Sequence, residues 1–173
     1  MENLSSQSLS IYLFGTNGPL WVVMGAVIVV ALGGIGSAIA IGRTTAHTAG
    51  VLSEKPELFG KLLVLMSLPG TQGFYGFVVA FLMMQSFGLT SGNPQASFGQ
   101  GMSMFVMGIF VGLVQFRSSI AQGNSAIGAI DLTGKSPKEG GRAILLPGLV
   151  EMYAVLALLV AVLFIMWIGG KAF

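Results

Sequence analysis

Residues 143–168 read AILLPGLVEMYAVLALLVAVLFIMWI, an apolar run with one charged side chain, Glu151. As an α-helix rising ~1.5 Å per residue, the run would extend roughly 39 Å, enough to cross a bilayer core of about 30 Å. Glu151 would then lie near the middle of a membrane, where an ionised carboxylate is unfavourable unless its charge is compensated. The run predicts a transmembrane helix with Glu151 as its candidate functional residue. The alternative is a protonated carboxyl that only hydrogen-bonds neighbouring helices.

The composition of the whole chain is that of an integral membrane protein. Of its 173 residues, 54% are hydrophobic and 8% are charged, whereas soluble domains carry about 25% charged residues. The chain has no cysteine and one histidine, which excludes a disulfide framework, thiolate metal ligands and a thiol nucleophile. The net charge of +2 does not indicate nucleic-acid binding, and the sequence contains no nucleotide-binding loop. We therefore do not expect the chain to be an enzyme by itself.

Four apolar segments follow one another along the chain and predict an all-α membrane protein with four transmembrane helices. The predicted helices lie at about residues 20–50, 58–88, 98–130 and 142–169. Proline and glycine punctuate the connections between them, at residues 52–57, 89–95 and 131–140. Such residues are typical of turns. We expect two helical hairpins, residues 1–88 and residues 89–173, with the carboxylate in the second.

Basic residues predict the orientation of these hairpins. Five of them lie in or beside the first and third connections: Lys55, Lys61, Lys135, Lys138 and Arg142. The middle connection has no charged residue, and Lys171 is the one basic residue predicted on its side of the membrane. Because cytoplasmic loops carry an excess of Lys and Arg, we expect the loops at 52–57 and 131–140 to be cytoplasmic. Both termini would then lie outside the plasma membrane.

The two predicted hairpins repeat each other. LPGTQGFY at residues 68–75 aligns with LPGLVEMY at residues 146–153 at an offset of 78, and upstream Pro56 aligns with Pro137 at an offset of 81. The residue aligned with Glu151 in the first copy is a glycine, so only the second hairpin carries the carboxylate. Tandem repeats of helix pairs are common in transport proteins.

Small residues are concentrated in the first and third predicted helices. The first contains Gly34, Ala38 and Gly42 at four-residue spacing, and the third contains Gly108 and Gly112. Small residues four apart let helix backbones approach closely in lipid. Because they cover several faces, we expect close packing on more than one side, as on the inner wall of a closed ring. Ordinary packing of four helices within the chain is the alternative.

Oxygen-bearing residues are predicted at the depth of Glu151. Four residues spaced i, i+3, i+4 and i+7 share one face of the second helix: Leu68, Thr71, Gln72 and Tyr75. Pro69 removes a backbone N–H, which can leave a carbonyl oxygen free, and Gln122 lies at a similar depth in the third helix. Several oxygens and no nitrogen or sulfur ligand favour a hard cation, most simply Na⁺ because one negative charge is present. The alternative is a proton site in which Thr71 and Gln72 only hydrogen-bond the carboxyl.

Four strings of sequence carry a family resemblance: GIGSA at 34–38, LPGTQGFYG at 68–76, IAQG at 120–123 and EMY at 151–153. Across all four helices the chain resembles the proteolipid (K or c) subunit of bacterial V-type/A-type rotary ATPases. The resemblance implies a ring of identical protomers, surrounded by membrane lipids, that rotates against a static arginine-bearing membrane subunit. A central-stalk subunit would contact the cytoplasmic loops.

The resemblance also implies roles for individual residues. In sodium-type members the ion is coordinated through residues that match Thr71, Gln72, Gln122, Glu151 and the backbone carbonyl of Leu68. The tyrosine that matches Tyr75 hydrogen-bonds the carboxylate. This implies a Na⁺-translocating rotor subunit, coupled by rotation to ATP hydrolysis or synthesis in a soluble head. The alternatives are a proton-translocating ring of the same family, a stand-alone ion transporter and a membrane scaffold.

Three other polar residues lie within the predicted helices. Arg117 is about 140° around its helix from Gln122, which predicts that it faces away from Glu151; if it did reach Glu151, it would act as a built-in counter-ion. Arg43 is expected to reach headgroups or water in a ring lumen. His47 lies among threonines near the end of the first helix, where a solvated or helix-capping role is expected.

Overall fold

The computed structural model describes residues 17–169, so Lys171, on which part of the orientation prediction rests, lies outside the described residues. The described part folds into four long helical spans and contains no strand. The spans are Gly18–Glu54, Pro56–Ser86, Phe98–Lys135 and Pro137–Gly169. Each is long and apolar enough to cross a membrane, which confirms the predicted all-α fold with four transmembrane helices.

The first and third spans are continuous α-helices of 37 and 38 residues, roughly 56 Å long. Both continue past their predicted ends, so much of the two segments predicted as cytoplasmic loops is helical. Pro56 and Pro137 decide where the helices end, because a residue that precedes proline is disfavoured in the α conformation. Accordingly, Lys55 and Ser136 both leave the helical region with φ of −135°. Each helix is therefore longer than the roughly 20 residues that a bilayer core requires.

The second and fourth spans are interrupted. The second consists of a 3₁₀ turn at Pro56–Leu58, an α-helix at Phe59–Ser67, a 3₁₀ turn at Leu68–Gly70 and an α-helix at Thr71–Ser86. The fourth consists of a 3₁₀ turn at Pro137–Glu139 and α-helices at Gly140–Ala143 and Leu145–Gly169. Pro69 accounts for the break in the second span, because it cannot donate the backbone hydrogen bond that a continuous helix requires. The break lies at the depth of Glu151.

Glycines bring the first and third spans into backbone contact. A Cβ atom added to Gly108 would lie 2.4 Å from the carbonyl oxygen of Gly25, and one added to Gly36 would lie 2.8 Å from Cα of Phe116. Side chains larger than hydrogen would therefore separate the two helices. The second span packs on the first and the fourth on the third, and the second and fourth spans meet each other.

The stripe of Gly34, Ala38 and Gly42 takes no part in this packing. A Cβ atom added to Gly34 or Gly42 would meet no atom within 4 Å, and Ala38 is exposed. The small residues of the first span therefore divide between two surfaces: part of the set packs within the chain, as one predicted alternative has it, and this stripe stays exposed. The neighbouring residues Gly33 and Gly36 make the internal contacts, the former against the second span and the latter against the third.

Candidate ion-binding site

The carboxylate of Glu151 accepts hydrogen bonds from two different spans. Its Oε2 accepts from Thr71 Oγ1 at 2.9 Å and from Nε2 of Gln122, and its Oε1 accepts from the hydroxyl of Tyr75. Thr71 and Tyr75 belong to the second span and Gln122 to the third, while Glu151 is carried by the fourth. The structure thus brings these predicted site residues into one cluster at the junction of three spans.

Gln72 and Gln122 form a buried layer behind the carboxylate, and neither has exposed surface. Gln72 Nε2 donates to Gln122 Oε1 at 2.8 Å, and Gln122 Nε2 also donates to the carbonyl of Pro147 at 3.2 Å. Gln72 Oε1 is buried without a hydrogen-bond donor in the described part of the chain. A buried unsatisfied acceptor costs about 1–3 kcal/mol. This oxygen can therefore accept a cation or a polar hydrogen.

The 3₁₀ turn at Leu68–Gly70 places the Leu68 carbonyl beside the cluster, where it accepts from Thr71 Oγ1 at 3.1 Å. A threonine hydroxyl has one proton, so Thr71 donates to this carbonyl or to Glu151, but not to both at once. The carbonyl of Met66, in the last turn before the break, accepts from Thr44 Oγ1 at 2.7 Å. This hydrogen bond joins the first two spans, and the turn itself places the Leu68 oxygen beside the cluster.

Glu151 has no positively charged partner among residues 17–169. The salt bridges of these residues join His47 to Asp131 and Arg142 to Glu139. Arg117 and Arg43 are exposed on the outside of their helices. The alternative in which Arg117 acts as a counter-ion to Glu151 is therefore wrong. The same residues contain no group of three or more His, Cys, Asp or Glu side chains able to hold a metal. The cluster has one negative charge, on Glu151, and its other polar groups are uncharged. A site with a single negative charge is neutralised by a monovalent cation and not by a divalent one.

His47 has a partner that the sequence did not reveal. Its Nε2 lies 2.7 Å from Oδ1 of Asp131, in a contact between the first and third spans. Both side chains remain partly exposed, beside a polar cavity that Glu54 and Lys55 also line. The predicted solvated or helix-capping role did not include this contact. It joins two residues 84 positions apart and forms only when the helices pack.

The third span carries a row of polar side chains of which the sequence predicted only Gln122. Three residues at i, i+3 and i+7 donate to carbonyls of the fourth span: Gln115 to Ala154 at 3.1 Å, Ser118 to Val150 at 3.5 Å and Gln122 to Pro147 at 3.2 Å. These carbonyls lie on both sides of Glu151 along its helix. The row therefore holds Glu151 at a defined depth against the third span. The signal that could have revealed it is the helical spacing of polar residues in an apolar segment.

Comparison with known proteins gives consistent results. A family model described as the C subunit of ATP synthase matches the chain twice, over residues 24–83 and 105–164. The chain is 33% identical over 156 residues to the V-type sodium ATPase subunit K of Enterococcus hirae, across 90% of this chain and 97% of that protein. It is 36% identical over 140 residues to the A-type ATP synthase subunit K of Methanocaldococcus jannaschii, across 81% of this chain and 59% of that protein.

Proposed function

Because the chain belongs to the ATP synthase C-subunit family, as a proteolipid rotor subunit of a V-type or A-type ATPase, we propose that it carries Na⁺ across the membrane on Glu151. The chain is an ion-translocating component of the membrane sector and is not the enzyme by itself. The observation that carries the proposal is the partly buried cluster in which one carboxylate, without a cationic partner in residues 17–169, is bonded by two hydroxyls and one amide, with the unsatisfied Gln72 side chain bonded to that amide.

The proposed ligands are the Glu151 carboxylate, the Thr71 hydroxyl, the side-chain oxygens of Gln72 and Gln122, and the Leu68 carbonyl. Gln72 Oε1 supports this assignment, because a cation would satisfy a buried oxygen that has no donor in the described chain. Gln122 now turns its Nε2 toward the carboxylate. Rotation of that amide would present its oxygen to an arriving ion. The name of the Enterococcus hirae relative, a sodium ATPase subunit, supports the same choice of ion.

Charge neutralisation explains how the ion could be carried. With Na⁺ bound, the ion and Glu151 together are neutral and can face lipid while the ring rotates. Tyr75 donates to the carboxylate oxygen opposite the one that Thr71 contacts, and so holds the side chain turned toward its ligands. An arginine on a static membrane subunit would attract the carboxylate and release the ion into an aqueous path.

Rotation would couple this ion movement to ATP hydrolysis or synthesis in a soluble head. The energy of moving one charge is ~2.3 kcal/mol per 100 mV of membrane potential, so each ATP requires several ions. The turns at Pro56–Leu58 and Pro137–Glu139, with basic residues on both sides of them, support a cytoplasmic location for these ends. We place the central-stalk subunit there and both termini outside.

Sodium ions are expected to protect Glu151 from modification by a carbodiimide, a reagent that attacks protonated carboxyl groups. Na⁺ and protons compete for the same carboxylate. The sodium concentration that gives half-protection should therefore fall as the pH rises, because fewer protons compete. The measurement is labelling of the full chain in native membranes, quantified by mass spectrometry, across sodium concentration and pH.

Potassium at equal ionic strength controls for salt effects, and Glu151→Gln controls for labelling at other residues. Protection by Na⁺ at concentrations where K⁺ has no effect supports the proposal. Labelling that depends on pH alone, whichever cation is present, would favour the proton-translocating alternative. Uptake of Na⁺ by vesicles that contain this chain alone would favour a stand-alone transporter.

Replacing Tyr75 with phenylalanine should weaken Na⁺ binding without abolishing it. The substitution removes the hydroxyl that donates to Glu151 and keeps the ring, and a hydrogen bond to a charged group contributes about 1.5–3 kcal/mol. We expect affinity to fall roughly 10- to 100-fold, with most of the change in the rate of ion release. Binding and release of radiolabelled sodium would measure both quantities.

Tyr153→Phe is the matched control. Tyr153 occupies the position equivalent to Tyr75 in the second copy of the repeat, but it is exposed on the surface of the chain. Its replacement should leave Na⁺ binding unchanged. An equal effect of both substitutions would show that the hydroxyl of Tyr75 has no special role in holding the carboxylate.

A further inference from the structure

The second span contains two helix ends in its interior, because it breaks at the 3₁₀ turn Leu68–Gly70. The helix Phe59–Ser67 ends before this turn, and the helix Thr71–Ser86 begins after it. The last carbonyls of one helix and the first N–H groups of the next have no partner within their own helix. The residue at the start of the later helix, Gly70, provides no side-chain cap. Because unsatisfied backbone groups are unfavourable inside a membrane, these ends require partners from another span.

Two hydroxyl groups of the first span meet this requirement. Thr44 Oγ1 donates to the carbonyl of Met66, in the last turn before the break, at 2.7 Å. This oxygen is nearer to Thr44 than the Ile41 carbonyl of its own helix, which lies at 3.0 Å. Ser37 Oγ accepts from the backbone N–H of Gly73, in the first turn after the break, at 2.9 Å. Thr44 and Ser37 are both buried and, seven positions apart, share one face of the first span.

The first span also lies against the backbone between these two hydrogen bonds. A Cβ atom added to Gly70 would lie 3.0 Å from Cδ1 of Ile41. One added to Gly33 would lie 2.8 Å from the backbone oxygen of Gln72. The turn therefore has no room to move toward the first span, and its two ends are held by hydrogen bonds to that same helix. The first span thus fixes the geometry of the break.

The stretch held in this way contains three of the five proposed Na⁺ ligands. They are the Leu68 carbonyl, the Thr71 hydroxyl and the side-chain oxygen of Gln72. The hydrogen bonds of Ser37 and Thr44 reach backbone groups on either side of these ligands. A binding site distinguishes cations of different size by the spacing and flexibility of its oxygens. The two hydroxyls are therefore placed to control that spacing from outside the ligand set.

We propose that Ser37 and Thr44 are positioning residues that hold the ligands of the second span at the spacing that suits Na⁺. This inference rests on the proposed function and adds to it two residues that are not ligands. The hydroxyls act through the backbone on both sides of the break. Without them, the Leu68 and Thr71 oxygens could move relative to Glu151, which is carried by a different span.

The repeat supports a role that is specific to the second span. The family model begins at residues 24 and 105, so Ser37 corresponds to Ser118 at an offset of 81. Ser118 donates to the carbonyl of Val150 at 3.5 Å, whereas Ser37 accepts from an N–H group. The fourth span is a continuous α-helix over Leu145–Gly169. The stretch equivalent to the turn therefore contains no helix end that would need a cap.

Thr44→Val tests the proposal, because it removes the hydroxyl and keeps the shape of the side chain. We expect the affinity for Na⁺ to fall roughly 3- to 10-fold, the range for loss of one hydrogen bond. The ratio of Na⁺ to Li⁺ affinity should fall at least about threefold, because oxygens that are free to move can close around the smaller ion. Thr44→Ser keeps a hydroxyl and should match the unmodified chain in both quantities. The measurement is binding of radiolabelled sodium to the assembled oligomer, with Li⁺ as the competitor.

Ser37→Ala should have the same two effects, because it leaves the N–H group of Gly73 without its acceptor. It decides the question if Thr44→Val does not assemble. Thr45→Val is the matched control. It makes the same change one residue further along, at a hydroxyl that bonds to carbonyls of its own helix, those of Ile41 and Gly42. It should change neither the affinity for Na⁺ nor the ratio.

An affinity that falls while the ratio of Na⁺ to Li⁺ affinity stays the same or rises would mean that the hydroxyls only stabilise the fold, and would overturn the proposal. An equal effect of Thr45→Val would overturn it as well. Sodium protection of Glu151 in the unmodified chain distinguishes these results from a failure of the proposed function. If Na⁺ protects the unmodified chain and the variants at Ser37 and Thr44 bind like it, only the positioning role is wrong. If Na⁺ gives no protection there, the proposed function is wrong.

Discussion

Glu151→Gln is expected to lower the affinity for Na⁺ at least roughly 100-fold and to abolish sodium-driven coupling. Glutamine keeps the size of the side chain and an oxygen that can accept from Thr71 or Tyr75, but it removes the one negative charge of the site. Loss of one partner from a buried pair of charges costs about 3–5 kcal/mol, and each 1.4 kcal/mol is about tenfold in affinity. Equilibrium binding of radiolabelled sodium to the assembled oligomer measures the effect.

Glu54→Gln provides the matched control for that experiment. It makes the same change in net charge on an exposed carboxylate at the end of the first span. Its affinity for Na⁺ should equal that of the unmodified chain. Unchanged binding in Glu151→Gln would mean that the ion binds elsewhere, and the proposed function would then be wrong.

Gln122→Leu is expected both to weaken Na⁺ binding and to destabilise the assembled oligomer. Leucine removes a proposed ligand and leaves the Gln72 amide, the Pro147 carbonyl and the Glu151 carboxylate each short of one hydrogen bond. Buried polar groups left unsatisfied cost about 1–3 kcal/mol each. We expect affinity to fall roughly 10- to 100-fold, together with a lower melting temperature of the assembled oligomer. Sodium binding and thermal unfolding would be measured on the same preparation.

Gln115→Leu separates the two consequences of that substitution. Gln115 is equally buried, lies two helical turns away on the same face, and donates to the carbonyl of Ala154. Its replacement should lower the melting temperature by a similar amount but change sodium affinity less than about threefold. Equal losses of affinity in both variants would mean that Gln122 acts by docking the fourth span and not as a ligand.

Some features of the chain could be predicted because they depend on local sequence. The four spans follow from apolar runs that are long enough to cross a bilayer. Residues Leu68, Thr71, Gln72 and Tyr75 could be grouped because helical spacing alone places them on one face. The repeat then placed Gln122 at the depth of Glu151. In each of these cases the decisive information lies within one helix or in a direct comparison of two segments.

The contacts between helices required the tertiary structure. The first span offers small residues on several faces, and its own sequence does not decide that Gly36 packs inward while Gly34 and Gly42 face outward. That choice depends on the shape of the third span, as does the pairing of His47 with Asp131. Sequence alone thus determined the four spans, the repeat and the depth of the carboxylate, because hydropathy and helical period are properties of one segment. Only the tertiary structure decided which donors reach Glu151 and which faces remain free, because those outcomes depend on the fit between helices.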